Sequence, residues 1–407
     1  MQADPAGLKI LVVTPSVPYP PHWGFGIRVF NLLRELAETN SVSLVCFAAE
    51  ADDGKVRELL KFCAAVHTVP SPLANNVIKR RRQLRSTFSR RSFQSTGTRS
   101  AEMVRLLRKV LAAGDFDLVQ LESSQLVSSF PSCSMPTVLD EHNIEYELLR
   151  RMVDVERSPL RKAYNWIEYR KFRREETRAW VRVDACVLTS DREYEIVRAA
   201  LPSKAAHVAP NGVDIDYFKP SDAPTESNSI VFTGLMSYRP NVDAVKFFVR
   251  EILPRIVTKV PDVKFRIVGL EAEQNVGYLA GPHVDVISDV PDVRPYIERA
   301  AIVAVPLRMG SGTRLKVLDA LAMGKPIVST SVGCEGIAVR NTQHLLVADG
   351  PEHFADAVLG LLSDPARGER LGRAGRQLVE AQYSWASISR SLAAFHAEVV
   401  AAGTRRP

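Results

Sequence analysis

The stretch from Ala304 to Thr330 contains the residues best suited to bind a phosphate. Its sequence, AVPLRMGSGTRLKVLDALAMGKPIVST, indicates an apolar strand, a glycine loop, a helix and a second strand. A glycine loop that opens a helix presents free backbone N–H groups and the positive end of the helix dipole to an anion. Arg314 and Lys316 add full positive charges in the first helical turn. The sequence therefore predicts a phosphate site whose backbone comes from Gly310, Ser311, Gly312 and Thr313.

The same spacing has a second interpretation. A glycine loop between a strand and a helix is often only a tight connection, and Arg314 and Lys316 would then lie on a solvated face. Spacing alone leaves both interpretations open. Asp319 follows one helical turn later, on a side of the helix that a sugar hydroxyl can reach.

His142 is a second candidate because it follows the predicted strand Thr137–Asp140. Open α/β sheets bind ligands outside the carboxyl ends of their strands, which is where this imidazole is expected to lie. A lone histidine is more often structural, and that alternative stays open on position alone. The neighbouring side chains that offer contacts to an acceptor are Asp140, Glu141 and Asn143.

The first predicted strand is followed by Gly24-Phe25-Gly26, which raises the question of a dinucleotide site. Such a site needs G-x-G-x-x-G close to the strand and an acid at the end of the next strand. Here nine residues, four of them prolines, separate Thr14 from Gly24, and Val29 occupies the third glycine position. The sequence therefore disfavours nicotinamide binding.

Size and composition indicate a globular protein of two domains. The chain has 407 residues, of which 46% are hydrophobic and 24% are charged, and this length exceeds that of one ordinary core. The net charge of +7 favours anionic partners such as nucleotide diphosphates or lipid surfaces. The five cysteines are scattered, which is typical of a reduced cytoplasmic compartment. No apolar run approaches the length of a membrane span, so a soluble chain is expected.

Strand-like and helical patterns alternate through most of the chain, which predicts parallel sheets with crossover helices. The pattern restarts after Lys219–Asn228, a stretch rich in Pro, Ser and Asp. Two doubly wound domains are therefore expected, at residues 1–220 and 221–384. The predicted strands are Ile10–Thr14, Val42–Phe47, Asp117–Leu121, Thr137–Asp140, Ala185–Thr189, Ala206–Ala209, Ser229–Thr233, Lys264–Val268, Val284–Ile287, Ile302–Val305 and Pro326–Ser329.

Two regions are strongly basic. The run VIKRRRQLRSTFSRR has no acid between Lys79 and Arg91, and we expect it to contact an anionic membrane surface or a lipid-linked acceptor. The region Arg150–Arg182 is interpreted as a solvated helix face that mixes its basic residues with Glu168, Glu175 and Glu176. Nucleic acid is disfavoured as a partner because no recognition fold accompanies the charge.

Several motifs resemble those of the retaining glycosyltransferases of family 4. The stretch around Asp319 resembles their donor-site signature P-x-x-x-E-G-F-G-x-x-x-x-E-A-M-A-x-G-x-P, with Asp319 at the second acidic position and Ser311 at the first. Pro210-Asn211-Gly212-Val213-Asp214 resembles the segment that closes the first domain of these enzymes. The pattern P-L-R-x-G-x-G-T-R-L-K is most similar to bacterial exopolysaccharide-associated sugar transferases.

The resemblance implies an α/β fold of the GT-B type, with two doubly wound Rossmann-like domains that face each other across a cleft. The N-terminal domain, residues 1–220, would bind the acceptor, and the C-terminal domain, residues 221–384, would bind the nucleotide-sugar donor. The last helix, residues 385–402, is expected to pack back on the N-terminal domain.

The resemblance also implies roles for individual residues. His142 is expected to orient the transferred sugar or the acceptor, and Asp319 to hold the ribose. Arg239, Arg314 and Lys316 would neutralise the leaving diphosphate. The other implied donor-binding residues are Gly24, Gly26, Gly234, Asn241, Val293, Gly310, Ser311, Gly312 and Thr313, and the implied acceptor-binding residues are Arg28, Asp140, Glu141 and Asn143.

The implied activity is retaining transfer of a sugar from a nucleotide-diphosphate sugar to an acceptor hydroxyl, in bacterial cell-surface polysaccharide or glycolipid synthesis. We expect no metal, and no cofactor besides the nucleotide-sugar co-substrate. The expected location is the cytoplasm, with peripheral contact to the inner face of the cell membrane. Two alternatives stay open. One is a nucleotide-sugar epimerase of similar two-domain shape, which would need catalytic carboxylates that the sequence does not locate. The other is a non-catalytic binding relative, because Ser311 and Leu235 replace a Glu and an Arg of the family pattern.

Overall fold

The structure is a computed structural model that describes residues 7–403 except 22, 50–51, 72–88, 90, 94, 96–97, 99, 157, 222 and 311–313. The chain forms two compact units, one of Met1–Pro210 with Trp385–Pro407 and the other of Asn211–Ser384. None of the helices in these described ranges is both long enough and apolar enough to cross a bilayer.

The first unit is built on the strands β1 (Lys9–Thr14), β2 (Ser41–Ala48), β3 (Ala65–Pro70), β4 (Leu118–Leu121), β5 (Thr137–Glu141), β6 (Ala185–Leu188) and β7 (Ala205–Val208). They form one parallel sheet in the order β3-β2-β1-β4-β5-β6-β7. The central strands are short apolar runs that are buried along their length, as in β4 and β6. This pattern is typical of parallel strands that helices cover on both faces.

The helices of the first unit are α1 (Gly24–Ala37), α2 (Asp53–Leu59), α3 (Ala101–Ala113), α4 (Ser124–Val127), α5 (Glu145–Val155), α6 (Pro159–Arg182), α7 (Asp191–Ala200) and the last helix of the chain (Trp385–Gly403). Leucines at helical spacing make α1 amphipathic, and its apolar face joins the core between the sheet and the last helix. Trp385, Ile388 and Leu392 of the last helix are buried in that core.

The second unit contains the strands β8 (Glu226–Thr233), β9 (Lys264–Gly269), β10 (Val284–Ser288), β11 (Ala300–Val305), β12 (Ile327–Ser329) and β13 (Leu346–Val347). They form a parallel sheet in the order β10-β9-β8-β11-β12-β13. Its helices are α8 (Arg239–Phe247), α9 (Leu253–Val257), α10 (Ala272–Val276), α11 (Arg294–Arg299), α12 (Leu315–Ala322), α13 (Pro351–Ser363) and α14 (Pro365–Gln382), with a π-helical turn at Phe248–Ile252 and 3-10 turns at Gly277–Leu279 and Val332–Cys334.

Each sheet has one point at which the strand order reverses. In the first unit it lies between β1 and β4, and in the second unit between β8 and β11. Connections from the two central strands run to opposite sides there, which opens a crevice outside their carboxyl ends. Ligand-binding side chains are therefore expected at these two points.

The units divide at residue 210, about ten residues before the boundary predicted from the Pro- and Ser-rich stretch. The backbone N–H of Val213 donates to the carbonyl of Tyr383 at 2.8 Å. Nη1 of Arg376 donates to the carbonyls of Ile215 and Phe218 at 3.1 and 2.9 Å. These bonds join the segment after residue 210 to the second unit, although its composition resembles that of a linker.

Candidate functional site

In the second unit, Lys316 from the first turn of α12 lies at the carboxyl end of β8. Its Nζ donates a hydrogen bond to Oδ1 of Asn241 at 2.8 Å and lies 3.8 Å from the centroid of the Phe232 ring. Nδ2 of Asn241 donates to the carbonyl of Leu235 at 2.9 Å, which fixes the orientation of the amide. Among the residues that the structure describes, the hydrogen-bond acceptor of this ammonium is therefore a neutral amide.

Glycine is favoured at two positions where cationic side chains approach the backbone. Gly234 has a φ of +157°, and a Cβ at this residue would lie 2.8 Å from Nζ of Lys316 and from Nδ2 of Asn241. Gly310 has a φ of +138°, and a Cβ there would lie 2.8 Å from Nη2 of Arg314. The positive φ favours glycine at both residues, and a Cβ at either one would displace the end of a cationic side chain.

Arg314 immediately precedes α12 and is 8% exposed. Its Nη2 lies 4.0 Å from Oε2 of Glu335. The predicted phosphate contacts of Ser311, Gly312 and Thr313 lie outside the described residues and stay predictions. Of the predicted loop, the structure thus places Gly310 and Arg314 beside α12.

Burial perturbs the charges of this site. It lowers the pKa of Lys316 well below the usual value, and the positive charge of Arg314 lowers it further. Burial raises the pKa of Asp319 to about 7, while the positive charge of Lys316 opposes that rise. A bound anion would favour the protonated form of Lys316, because an opposite charge stabilises the ammonium. The arrangement is therefore suited to a negatively charged ligand such as a diphosphate.

The first unit brings His142 and Glu122 together at the carboxyl ends of the adjacent strands β5 and β4. Nε2 of His142 lies 2.6 Å from Oε2 of Glu122. The ring of Phe25 stacks on the imidazole with 4.9 Å between the ring centroids. The side chain of His142 is 13% exposed, whereas that of Glu122 is 2% exposed. His142 therefore reaches solvent from a fixed position at the sheet edge where the sequence placed it.

Glu122 is not among the site residues predicted from the sequence, although its position in the sequence offers a signal. It directly follows the predicted strand Asp117–Leu121, and His142 lies two residues after the end of the next predicted strand, Thr137–Asp140. Because consecutive parallel strands end at the same edge, residues that follow two adjacent strands can meet. The sequence alone did not show that β4 and β5 lie side by side in the sheet.

Arg28, Asp140 and Glu141 do not lie where an acceptor can reach them. The guanidinium of Arg28 donates to both carboxylate oxygens of Asp140, with 2.8 Å between Nη2 and Oδ2, and these side chains are 1% and 0% exposed. Nη1 of Arg28 also donates to the carbonyl of Pro210 at 3.1 Å. Oε2 of Glu141 accepts a hydrogen bond from Nε1 of Trp180 at 2.9 Å. The acceptor contacts predicted for these three residues are therefore corrected to structural roles.

The remaining predicted residues differ in their accessibility. Gly24 and Gly26 lie in the first turn of α1, which begins at Gly24. Arg239 is exposed at the start of α8. Val293 and Asn143 are half-buried, the latter directly after His142 in the chain. The donor and acceptor contacts predicted for these residues stay predictions.

The segment that follows His142 is surrounded by buried carboxyl groups. Oε1 of Glu176 accepts a hydrogen bond from the backbone of Glu145 at 3.0 Å, and Oε2 accepts one from the backbone of Tyr146 at 3.1 Å. Burial raises the pKa of Glu176 well above its usual value and raises that of Glu145 to about 7. Burial likewise raises the pKa of Glu141 and Glu193.

Three potential metal ligands, Glu122, Asp140 and His142, have donor atoms within 4.8 Å of one another. Both oxygens of Asp140 already accept hydrogen bonds from Arg28, and Nε2 of His142 is bonded to Glu122. The guanidinium supplies the positive charge that balances the buried carboxylate. The geometry therefore fits an ion-pair network better than a metal centre.

The exposed charged residues of α6 are all basic. We call their surface the basic face, and it consists of the exposed residues Arg161, Lys162, Arg170, Arg173, Arg174, Arg178 and Arg182. Glu168 and Glu176 are 5% and 0% exposed, and Glu175 is half-buried and accepts a hydrogen bond from the backbone of Ser92 at 3.1 Å. The prediction that these acids share a solvated face with the basic residues is therefore wrong. The other predicted basic region, Lys79–Arg91, lies outside the described residues except for Ser89 and Arg91.

Two family models match the chain in succession. The model described as Glycosyltransferase Family 4 matches residues 22–217, and the model described as Glycosyl transferases group 1 matches residues 227–364. The first match contains His142 and Glu122, and the second contains Gly234 and Lys316.

Sequence relatives agree with these matches. An uncharacterized 44.6 kDa protein in the cps region of Klebsiella pneumoniae is 23% identical, over 86% of this chain and 90% of that protein. A GDP-mannose-dependent alpha-(1-6)-phosphatidylinositol monomannoside mannosyltransferase of Mycobacterium tuberculosis is 28% identical over 48% of this chain. The match spans 56% of that mannosyltransferase, so the chain aligns with only about half the length of this relative.

Solved structures share the fold. Sucrose-phosphate synthase from Thermosynechococcus elongatus superposes with a TM-score of 0.71 at 16% identity, over 97% of this chain and 100% of that chain. The HepE protein of Anabaena in complex with UDP superposes with a TM-score of 0.67 at 14% identity, over 96% of this chain and 100% of that chain. These likenesses confirm the predicted α/β fold of the GT-B type. Together with the family models, they do not favour the epimerase or the non-catalytic alternative.

Proposed function

Because the chain belongs to the family 4 (group 1) glycosyltransferases, we propose that it moves a sugar from a nucleotide-diphosphate sugar to an acceptor hydroxyl with retention at the anomeric carbon. The observation that carries this proposal is the ammonium of Lys316, held against Asn241 at the carboxyl end of β8 with Arg314 nearby. An ammonium in this position has a neutral hydrogen-bond partner and is suited to a diphosphate.

The barrier to sugar transfer is the departure of the diphosphate from a centre with oxocarbenium character. Arg314 and Lys316 would stabilise the negative charge that develops on the leaving group, and Asp319 would hold the ribose. A preorganised donor of this kind contributes roughly 3–4 kcal/mol when water is excluded. Burial disfavours the charged form of Lys316. A dianionic leaving group would oppose this effect and favour the protonated ammonium.

Retention is explained by proton transfer on one face of the sugar. The bond between the anomeric carbon and the diphosphate oxygen breaks as the acceptor oxygen bonds to the same face, and the leaving phosphate takes the acceptor's proton. His142 would hydrogen-bond a sugar hydroxyl and would not act as a nucleophile. Two cationic side chains supply positive charge at the diphosphate, so we propose a reaction that needs no divalent metal.

We place the reaction in the synthesis of a cell-surface polysaccharide or glycolipid, at the cytoplasmic side of the membrane. The name of the Klebsiella relative refers to a cps region, and the mycobacterial relative acts on a phosphatidylinositol mannoside. Both relatives support an acceptor of this class.

The basic face of α6 supports peripheral contact with an anionic membrane surface. Leu160 and Trp166 are 86% and 48% exposed on the same helix, and Cζ of Arg170 lies 5.0 Å from the Trp166 ring centroid. Exposed apolar and aromatic side chains beside arginines are suited to the headgroup region of a bilayer. Each basic residue close to an anionic surface adds about 1 kcal/mol of attraction.

A panel of nucleotide sugars tests the proposed activity. A donor at a hundred times its dissociation constant raises the unfolding free energy by about 2.7 kcal/mol, which a thermal-shift assay detects. The stabilising donor is then assayed with acceptor extracts, and the configuration of the product is read by NMR. We expect retention and full activity in the presence of a chelator. Inversion contradicts the retaining mechanism, loss of activity with chelator contradicts the metal-free mechanism, and the lack of any stabilising donor contradicts the substrate class.

Sedimentation with vesicles tests the membrane contact. Vesicles of phosphatidylcholine with phosphatidylglycerol should bind the protein, and pure phosphatidylcholine should not. Replacement of Arg170, Arg174 and Arg178 by Ala should weaken binding about 100-fold, from about 1 kcal/mol per residue. The matched control replaces the exposed residues Arg105, Arg108 and Lys109 of α3 by Ala, with the same change in charge. An equal loss in the two triple variants contradicts a specific role of the basic face.

A further inference from the structure

Glu122 is a buried carboxylate to which the proposed transfer reaction gives no role. It directly follows β4 and is 2% exposed, so its charge requires hydrogen-bonding partners. Nε2 of Gln120 donates to its Oε1, and Nε2 of His142 lies 2.6 Å from its Oε2. The carboxylate is therefore shared between its own strand and the imidazole that follows the neighbouring strand.

This contact determines which ring nitrogen of His142 carries a proton. An ionised carboxylate only accepts hydrogen bonds, so the imidazole donates from Nε2. In neutral His142, the other nitrogen, Nδ1, is then an acceptor. Among the described residues, none is hydrogen-bonded to Nδ1. The ring thus has one nitrogen committed to the protein and one available to a ligand.

Neighbouring groups hold the ring in place. The Phe25 ring lies at 23° to the imidazole, which is a stacked arrangement. The backbone carbonyl of His142 accepts a hydrogen bond from Oγ1 of Thr189 at 3.3 Å. A ring held by stacking and by a fixed backbone can present Nδ1 in one direction.

Two other carboxyl groups lie near the ring, those of Asp140 and Glu145. Oδ1 of Asp140 lies 3.9 Å from Nε2 of His142, but this carboxylate is paired with Arg28. Glu145, on the helix that follows, has a pKa raised to about 7 by burial. Glu122 is therefore the carboxylate that the imidazole contacts directly.

We propose that Glu122 is a positioning residue, which keeps the proton of His142 on Nε2 so that Nδ1 accepts a hydrogen bond from a hydroxyl of the sugar substrate. The identity of that hydroxyl rests on the proposed function, whereas the tautomer does not. The ring orients the hydroxyl and does not remove its proton. Loss of Glu122 should therefore affect turnover more than affinity for the donor, since the proposed function assigns binding of the diphosphate to Lys316.

Nitrogen NMR of the imidazoles tests the tautomer without substrate. The variant His142→Gln identifies the relevant signal among the eight histidines. At pH 8 we expect a neutral ring protonated on Nε2 in the wild type, and mixed tautomers in Glu122→Gln, since an amide donates as well as accepts. A wild-type ring that is protonated on Nδ1 or on both nitrogens overturns the inference. An unchanged tautomer in Glu122→Gln also overturns it.

Steady-state transfer with the stabilising donor tests the consequence for turnover. Glu122→Gln should lower kcat about 10- to 100-fold and change KM for the donor less than about 3-fold, and Glu122→Asp should restore part of kcat. The matched control is Asp184→Asn, the same chemical change at the opposite end of β5, where Asp184 accepts a bond from the Thr137 backbone at 2.8 Å. Unfolding midpoints of both variants are measured so that a loss of folded protein is not mistaken for a loss of kcat.

The outcomes separate the two proposals. Equal losses of kcat in Glu122→Gln and Asp184→Asn, or a loss confined to the donor KM, overturn the positioning role. If the wild type transfers no sugar, the proposed function is contradicted, and the tautomer measurement alone then decides the role of Glu122.

Discussion

The two units place opposite charges at equivalent points of their sheets. At the reversal between β8 and β11, the second unit holds Lys316 against glycine backbone. At the reversal between β1 and β4, the first unit holds the carboxylate of Glu122, which contacts His142. The same kind of sheet edge is thus suited to an anion in one unit and to hydroxyl groups in the other. Side chains at the strand ends, and not the topology, set the ligand.

The two units also differ in how they compensate buried charge. In the first unit, Arg28 and Asp140 neutralise each other, and raised pKa values favour neutral Glu141 and Glu176. In the second unit, burial weakens the protonation of Lys316, and a ligand of opposite charge would restore it. The buried charges of the first unit are therefore compensated within the unit, whereas we expect an anion to compensate the charge of Lys316 in the second unit.

Arg28→Ala should produce the largest change in stability. It leaves Asp140 buried without its partner, which costs about 3–5 kcal/mol. All four tryptophans, Trp23, Trp166, Trp180 and Trp385, belong to the first unit, so urea unfolding followed by tryptophan fluorescence reports on that unit. The control Arg34→Ala removes a half-exposed arginine of the same helix and should change stability by less than about 1 kcal/mol. Equal losses of stability in the two variants would contradict the claim that the buried charges of the first unit compensate each other.

Gly234→Ala should abolish most anion binding in the second unit. The added Cβ would lie 2.8 Å from Nζ of Lys316 and from Nδ2 of Asn241, so both groups must move. We expect an affinity for nucleoside diphosphates about 100-fold lower, as for the loss of a strong charged contact. Gly281→Ala is the control, because a Cβ there would have nothing within 4 Å. Calorimetric titration in which both variants bind like the wild type would contradict the site.

The stability of the first unit should fall as the pH rises from 6 to 8.5. The pKa of Glu145 is raised to about 7 in the folded chain, and that of Glu141 is raised too, so these groups bind protons more tightly when folded. Their favourable contribution is complete below about pH 4.5 and is lost progressively as the pH rises to the folded values, at about 1 kcal/mol per pH unit for each group. Urea midpoints from tryptophan fluorescence measure the loss. Glu141→Gln should flatten the dependence, and an unchanged slope would refute this origin.

His396→Leu should have the smallest effect, and it should be favourable. His396, on the last helix, is 0% exposed, and neither ring nitrogen has a hydrogen-bond partner among the described residues. Burial lowers its pKa to about 4, so the folded state opposes protonation. Replacement by Leu should raise the unfolding free energy by about 1 kcal/mol at pH 7 and by more at pH 5. His353→Leu, at an exposed position, should change little, and a destabilised His396→Leu would indicate an unrecognised partner.

Local patterns predicted much of the fold and half of the candidate site. Strand and helix periodicity located most elements, although β13, which has only two residues, and β3, which is largely half-exposed, were missed. The glycine loop, with Arg314, Lys316 and Asp319, lies within one short stretch, so sequence spacing was enough to bring these residues together.

Long-range pairing accounts for what the sequence did not reveal. Arg28 and Asp140 are 112 residues apart, and their mutual burial depends on the position of α1 over the sheet. Glu122 meets His142 only because β4 lies beside β5. The inward orientation of Glu168 and Glu176 depends on which face of α6 packs on the sheet, and mixed composition did not indicate it.

Calorimetric titration of UDP and GDP into wild type, Lys316→Met and Lys325→Met tests the central claim most directly. Lys325 is the matched control because it is another partly buried lysine of the second unit, with Nζ bonded to the carbonyl of Glu298 at 2.8 Å. The anion site predicts that the wild type and Lys325→Met bind at least one of these nucleotides with equal affinity, and that Lys316→Met binds it about 100-fold more weakly. Equal affinity in Lys316→Met would contradict the account.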